Sequence, residues 1–132
     1  MSADAITLSI PHERPYYGVA RLVVGGLAAR LDLSYEQLED LQLALASVLE
    51  RDGYRAGDDV TIRLLVEPGR VGLEIGPLAA EVEDDLEREQ DGVFLGRLLE
   101  TLVEDVSVAT ADGGHWLRLE KRVPRARGEP GK

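Results

Sequence analysis

His12 and His115 are the only imidazoles in the chain, and no cysteine accompanies them. Disulfides, zinc thiolate sites and cysteine nucleophiles are therefore excluded. Two histidines, one at a strand exit and one in a hairpin, make a poor metal set, and both read as ordinary surface or strand residues. Carboxylates are plentiful, 25 Asp and Glu against 15 Lys and Arg. With so many, pairs occur throughout, and none stands out as a general acid with its base. The phosphate loop ending Gly-Lys-Ser/Thr, the His-Glu-x-x-His zinc helix and the Gly-x-Ser-x-Gly elbow are all missing. The residues thus point away from the common catalytic constellations and towards binding.

The charge balance narrows what is bound. A net charge of −10 and a pI near 4.6 oppose broad contact with DNA, RNA or anionic lipid. A protein partner, or a small ligand held by local groups, is the expectation. Apolar residues at 44% and charged residues at 30% describe a globular chain. Its 132 residues suit a single domain, which at this size hides roughly two-thirds of the unfolded surface. No apolar run approaches the ~20 residues that span a bilayer. Met1-Ser2-Ala3-Asp4 lacks the layout of a signal peptide, so a cytoplasmic location is expected.

Behind any site stand the elements that must position it. Ile6, Leu8 and Ile10 alternate with Thr7 and Ser9 as a half-buried strand that Pro11 closes. Val19, Leu22, Val23, Leu27 and Leu31 recur at helical spacing over residues 15–31, with Pro15 tolerated in the first turn. Ser34 and Gln37 form a capping box for a second helix, whose stripe is Leu38, Leu41, Leu45, Val48 and Leu49 and which Gly53 stops. Val60, Ile62, Leu64 and Val66 pair through Glu67-Pro68-Gly69-Arg70 with Val71, Leu73 and Ile75 as a hairpin with one polar face. Residues 76–91 carry seven acids from Glu81 to Asp91 and read as a mobile connection with at most one helical turn. A third helix is expected over about 93–104, then strands from Val106 and through Leu117 and Leu119, with Lys121 continuing the inward row. Residues 124–132 are Pro, Gly, Arg and Lys with little apolar content, a disordered basic tail beyond a domain of residues 1–123. The order β-α-α-β-β-α-β-β predicts an α+β two-layer sandwich with a mixed, mainly antiparallel sheet and helices on one face.

These phrases in this order resemble the RsbW-like anti-sigma factor and serine-protein kinase family of GHKL (Bergerat-fold) ATPases, regulators of bacterial stress responses. Tyr17-Gly18-Val19-Ala20-Arg21-Leu22 opens the first helix and Glu39-Asp40-Leu41-Gln42-Leu43-Ala44-Leu45 lies in the second. Val60-Thr61-Ile62-Arg63, Gly92 and the run Leu98 to Val106 follow, so that the resemblance covers residues 5–123. It implies a sigma factor and an anti-anti-sigma protein as partners, with ATP and Mg²⁺ as cofactors of active members.

The family's nucleotide boxes are altered here. The resemblance puts Ser47 where active members carry a general-base Glu, and Arg51 where an Asn holds Mg²⁺. A serine hydroxyl does not accept a proton usefully at pH 7, and a guanidinium repels Mg²⁺. Gly76-Pro77-Leu78-Ala79 stands in place of the adenine-reading Asp-x-Gly, and the glycine-rich phosphate loop is reduced to Gly92-Val93-Phe94-Leu95-Gly96. Arg51, Gly92 and Gly96 remain as vestigial nucleotide contacts, with no catalytic residue and no metal ligand. Arg51 has two readings: a phosphate contact without Mg²⁺, or a salt bridge with Asp40, Glu50 or the acidic stretch.

The partner surface falls on the first helix. Val19, Leu22, Val23 and Leu27 are expected to face the core, which leaves Arg21, Gly25 and Ala28 outward with Val24 at the edge. A small, flat face around one arginine admits a partner closely, and the resemblance gives Arg21 contacts with both the sigma factor and its antagonist. Trp116 projects from the polar face of the last strand, either at an interface or covering the sheet. The outer sheet face and first strand are where family dimers would associate. The leading expectation is an anti-sigma-type binding protein without ATP chemistry. The alternatives are an active ATP-dependent protein-serine kinase with displaced ligands, and a GHKL-like scaffold domain with no sigma partner.

Overall fold

The computed structural model describes residues 4–30, 33–87, 95–111 and 113–123. Five strands, β1 (Asp4–Pro11), β2 (Asp59–Glu67), β3 (Arg70–Leu78), β4 (Asp105–Ala111) and β5 (Gly114–Arg122), form one open sheet in the order β1-β2-β3-β5-β4. Every neighbouring pair is antiparallel, so the sheet has none of the parallel pairing a mixed sheet would show. Period-two alternation sets the register: Leu8 faces Ile62, which faces Ile75, which faces Leu117, which faces Val108. One apolar row therefore crosses all five strands, because slipping any strand by one residue would turn its whole apolar set to the other face. Gly69, at φ 86°, supplies the left-handed position that closes the β2–β3 hairpin.

The opposite face of the sheet is polar. Arg63 on β2 and Arg118 on β5 both bond the Glu74 carboxylate on β3 between them, at 3.0 and 3.3 Å. Such exposed pairs are worth about 0–1 kcal/mol each and serve mainly to keep this face wet.

Helices α1 (Tyr17–Arg30), α2 (Tyr35–Leu49), α3 (Glu81–Glu87) and α4 (Leu95–Leu102) complete the fold, with a 3-10 turn at Arg14–Tyr16 before α1. The Ser34 hydroxyl accepts from the Gln37 N–H at 3.1 Å while the Gln37 side chain accepts from the Ser34 N–H at 2.9 Å. That is the expected capping box. Leu41, Leu45, Val48 and Leu49 of α2 are buried with Ile62, Leu64, Leu73, Ile75 and Leu117 from the sheet. Lys121 continues the inward row of β5, as expected, and is only 8% exposed. Its ammonium donates to Asp40 Oδ2 on α2 at 3.2 Å and to the Leu102 carbonyl at 2.8 Å. One buried cation thus ties β5 to α2 and to the C-terminal end of α4, where positive charge is favoured.

Three expectations need correction. Among the described side chains of α1, Ala20 and Val24 are buried and Val23 packs on the core as expected, while Val19 is 43% and Leu22 75% exposed; the Leu27 side chain lies outside the described residues. Small side chains allow α1 to lie close on α2, with Val19 and Leu22 turned outward. The acid-rich segment is not simply a connection, because Glu81–Glu87 is helical, Val82 is fully buried and Leu86 packs on the core. Three acids in its first turn favour that helix by meeting the positive end of its dipole. His12 is not a surface residue: it is 1% exposed, its Nε2 lies 3.4 Å from the Leu49 carbonyl, and its ring meets Tyr17 edge-on. The expected tail, residues 124–132, lies outside the described residues.

Candidate functional site

The outer surface of α1 and α2 carries the most exposed apolar side chains of the described residues. Leu22 stands 75% exposed, Leu43 on α2 50% and Val19 43%. Beside Leu22 runs a groove of about 420 Å³ lined by Gly18, Arg21, Leu22, Gly25, Gly26 and Gln42. Arg21 and Gln42 also line a second groove of the same volume, whose other wall includes Leu43, Ser47, Glu39 and Glu50. The two grooves therefore meet at Arg21.

Backbone chemistry explains the shape. A Cβ placed on Gly18 or Gly26 would meet nothing within 4 Å, whereas one on Gly25 would come within 3.1 Å of the Gln42 amide. That amide donates to the Arg21 carbonyl at 3.0 Å, seated where Gly25 lacks a side chain. Gly25 thus packs α1 against α2 while also lining the groove. Glycine inside a helix costs about 0.5–1 kcal/mol relative to alanine, and at Gly18 and Gly26 no packing inside the chain offsets it. Arg21 is exposed and has no carboxylate partner among the described residues. The side chain of Ala28 lies outside the described residues.

Trp116 takes the second of its expected places, on the sheet. Its ring lies directly on Gly76, where any Cβ would run into it, and the Arg63 guanidinium sits 5.3 Å from the ring centroid. The ring is half-buried, and its indole N–H has no acceptor among the described residues. Trp116 and Arg21 are on different layers, so they do not form one surface.

The nucleotide positions are also placed. Ser47 lies on the wall of the second groove and donates its hydroxyl to the Leu43 carbonyl at 2.8 Å. Arg51 follows the C-cap of α2, and among the described residues its guanidinium has no ion-pair partner, since Asp40 is bonded by Lys121 instead. Gly96 is buried in the first turn of α4, and a Cβ there would come within 2.9 Å of the Leu86 carbonyl at the end of α3. Helix α3 therefore lies across the start of α4. His115 Nε2 adds a 3.7 Å contact to Glu83 of that helix. Gly92 lies outside the described residues. Among the described residues, no three His, Asp or Glu side chains come together as a metal set, and no helix is long and apolar enough to cross a membrane.

Arg21 is exposed on the outward side of the first helix, as its position predicts. The places of Leu22, Leu43, Gly26, Glu39 and Glu50 along the same grooves were not expected. Signals for them existed: an all-round apolar α1, and an α2 with acids but no Lys or Arg between Tyr35 and Leu49.

No family model matches the chain. It is 29% identical to the serine-protein kinase RsbW of Listeria monocytogenes serotype 4a (strain HCC23), over 83% of this chain and 82% of that protein. It is 27% identical to the serine-protein kinase RsbW of Bacillus pumilus (strain SAFR-032), over 96% of this chain and 90% of the relative. Among solved structures, it superposes on the RsbU and RsbW domains of Rv1364c from Mycobacterium tuberculosis with a TM-score of 0.64, at 16% identity and covering 93% of this chain. The chain spans about a third of that longer chain, 33%. The two-layer fold, the ordered phrases along α1, α2 and β2, and these comparisons agree: the chain is RsbW-like, similar over most of its length to serine-protein kinases RsbW and folded like an RsbW domain.

Proposed function

We propose that this chain is a cytoplasmic anti-sigma-type regulator that sequesters a protein partner, a sigma factor or its anti-anti-sigma antagonist, through the outer face of α1 and without nucleotide chemistry. The observation that carries the reading is Arg21, an unpaired guanidinium among the described residues, at the meeting point of two grooves beside glycines that leave the helix backbone open. A carboxylate of the partner supplies what the described residues do not. Partner sequestration then needs only rigid presentation, which the α1–α2 contact through Ala20, Val24 and Gly25 provides.

The residues at the family's nucleotide positions do not fit Mg²⁺ and ATP. The Ser47 proton is engaged by the Leu43 carbonyl, and a hydroxyl is far too weak a base to replace a carboxylate. Arg51 offers positive charge where a cation would need an oxygen ligand. The carbonyl of Leu86 occupies the approach to Gly96, and the first turn of the adjoining α3 is acidic, with Glu81, Glu83 and Asp84, which does not favour a phosphate. The vestigial nucleotide role of Arg51 and Gly96 gains no support from this arrangement.

A kinase reading draws on the relatives, which are serine-protein kinases, and the same experiment separates the two. Partner candidates from the source organism, a sigma factor and an anti-anti-sigma protein, are titrated with the chain and its Arg21→Glu variant, with and without Mg²⁺ and ATP. Inverting a charge desolvated on binding costs about 2–5 kcal/mol, or ~30-fold to several thousand-fold in affinity. Binding that is unaffected by Arg21→Glu refutes the surface. Phosphate transfer to the antagonist supports the kinase.

A further inference from the structure

We propose that the segment seated on this surface is an amphipathic helix whose flank facing α2 carries Lys or Arg three helical turns apart. The inference rests on the reading of the α1–α2 face as a partner surface and adds the chemistry of what is bound there. Along α2, Glu39, Leu43, Ala46 and Glu50 are spaced i, i+4, i+7 and i+11, which at 100° per residue puts all four on one stripe. That stripe has acids at both ends and apolar side chains between them, about 16 Å from Glu39 to Glu50 at 1.5 Å per residue. All four residues line the second groove.

The charges on this stripe have no cation among the described residues. Asp40 is bonded by Lys121, but Glu39 and Glu50 have no ion pair there. The Tyr35 hydroxyl donates to Glu39, which raises the phenol above its ordinary pKa; this bond leaves the carboxylate's charge in place. Glu50 is the C-cap of α2, the end where the helix dipole disfavours an anion. A carboxylate placed at that cost, exposed and with no ion pair among the described residues, is complementary to a cation brought from outside.

The apolar part sets the shape of the occupant. Val19 and Leu22 are exposed one turn apart on α1, and Leu43 is exposed on α2 in the second groove, which shares Arg21 and Gln42 with the groove that Leu22 lines. At Gly18 and Gly26 a Cβ would meet nothing within 4 Å among the described residues, so side chains of an approaching helix can fill the space on either side of the exposed Leu22. Fourteen residues of α1 present about 21 Å of surface, enough for an occupant of three to four turns. The same helix meets Arg21 with an acid on its opposite flank.

The test uses two fluorescent hydrocarbon-stapled peptides sharing one Leu stripe and one Glu aimed at Arg21. In one peptide the positions i and i+11 of the other flank are Lys, and in the other they are Glu. Anisotropy titrations of the full chain at low salt are expected to show the Lys peptide binding at least tenfold more tightly, with the difference shrinking at high salt. The Glu39→Lys/Glu50→Lys variant, with fold checked by circular dichroism, is expected to reverse the order. Equal affinities for the two peptides, or no binding of either, overturns the inference. So does sedimentation showing a dimer that Leu22→Glu dissociates, which assigns the surface to a second copy. A sigma factor or antagonist whose binding is lost in Arg21→Glu but unchanged in Glu39→Lys/Glu50→Lys refutes this inference alone and leaves the proposed function standing.

Discussion

Replacing Lys121 by methionine keeps most of the side-chain stem and removes the ammonium, so the loss reports the buried charge and little else. Two partners are orphaned: the Leu102 carbonyl at 2.8 Å and the Asp40 carboxylate at 3.2 Å. Breaking a fully buried pair by removing one member costs about 3–5 kcal/mol. Here the Asp40 side chain is 26% exposed, so water rescues part of it, while the carbonyl at the end of α4 loses a charged donor worth about 1.5–3 kcal/mol. The expected loss is about 2 kcal/mol, or ~5–8 °C in Tm for a domain of this size. Asp40→Leu alone leaves the ammonium buried with one acceptor and is expected to cost a similar amount. The double variant Lys121→Met/Asp40→Leu removes both charges and should recover at least ~1 kcal/mol of the summed losses, since a buried pair replaced by apolar groups of similar volume is often neutral. Chemical denaturation of the four proteins closes the cycle. Losses that add within ~0.5 kcal/mol would show that Lys121 and Asp40 do not interact, and that β5 is tied to the helices by packing alone.

Three further changes test the packing that shapes the surface. Val82→Ala removes two methyl groups from a fully buried site and should cost about 2 kcal/mol once a cavity is left; no change in the denaturation midpoint would mean that α3 is undocked in solution. Gly26→Ala adds a methyl that meets nothing inside the chain and should stabilise by about 0.5–1 kcal/mol, while weakening partner binding by filling the open face. Gly76→Ala drives a Cβ into the Trp116 ring; a red shift of the single tryptophan's emission and a loss of about 1–3 kcal/mol are expected, and an unshifted spectrum would place the ring elsewhere.

Strand positions could be read in advance because alternation is a local signal that burial enforces on every neighbour. Even the inward direction of Lys121, a charged residue in an apolar row, followed from parity alone. The capping box of Ser34 and Gln37 is equally local. The orientation of α1 was not readable in the same way. Apolar residues surround that helix, so periodicity names no inward side, and the choice of Ala20 and Val24 over Leu22 is made by how closely α2 approaches. Helix α3 was hidden for a related reason. Its acids read as a solvated run, while two residues, Val82 and Leu86, suffice to dock it between α4 and the sheet. The site divides along the same line. Arg21 stood out from its helix position, but the acidic stripe on α2 becomes part of a surface only when the packing sets α1 and α2 side by side.

The most direct test is the affinity of the chain for its sigma factor, measured by calorimetry with and without saturating Mg²⁺ and ATP, beside the Arg21→Glu variant. The account predicts the same affinity with and without nucleotide, no heat from nucleotide alone, and a loss of at least ~30-fold on inverting the arginine, the lower bound for a buried charge pair. Tight binding that appears only when nucleotide is present, or that survives Arg21→Glu unchanged, would contradict it.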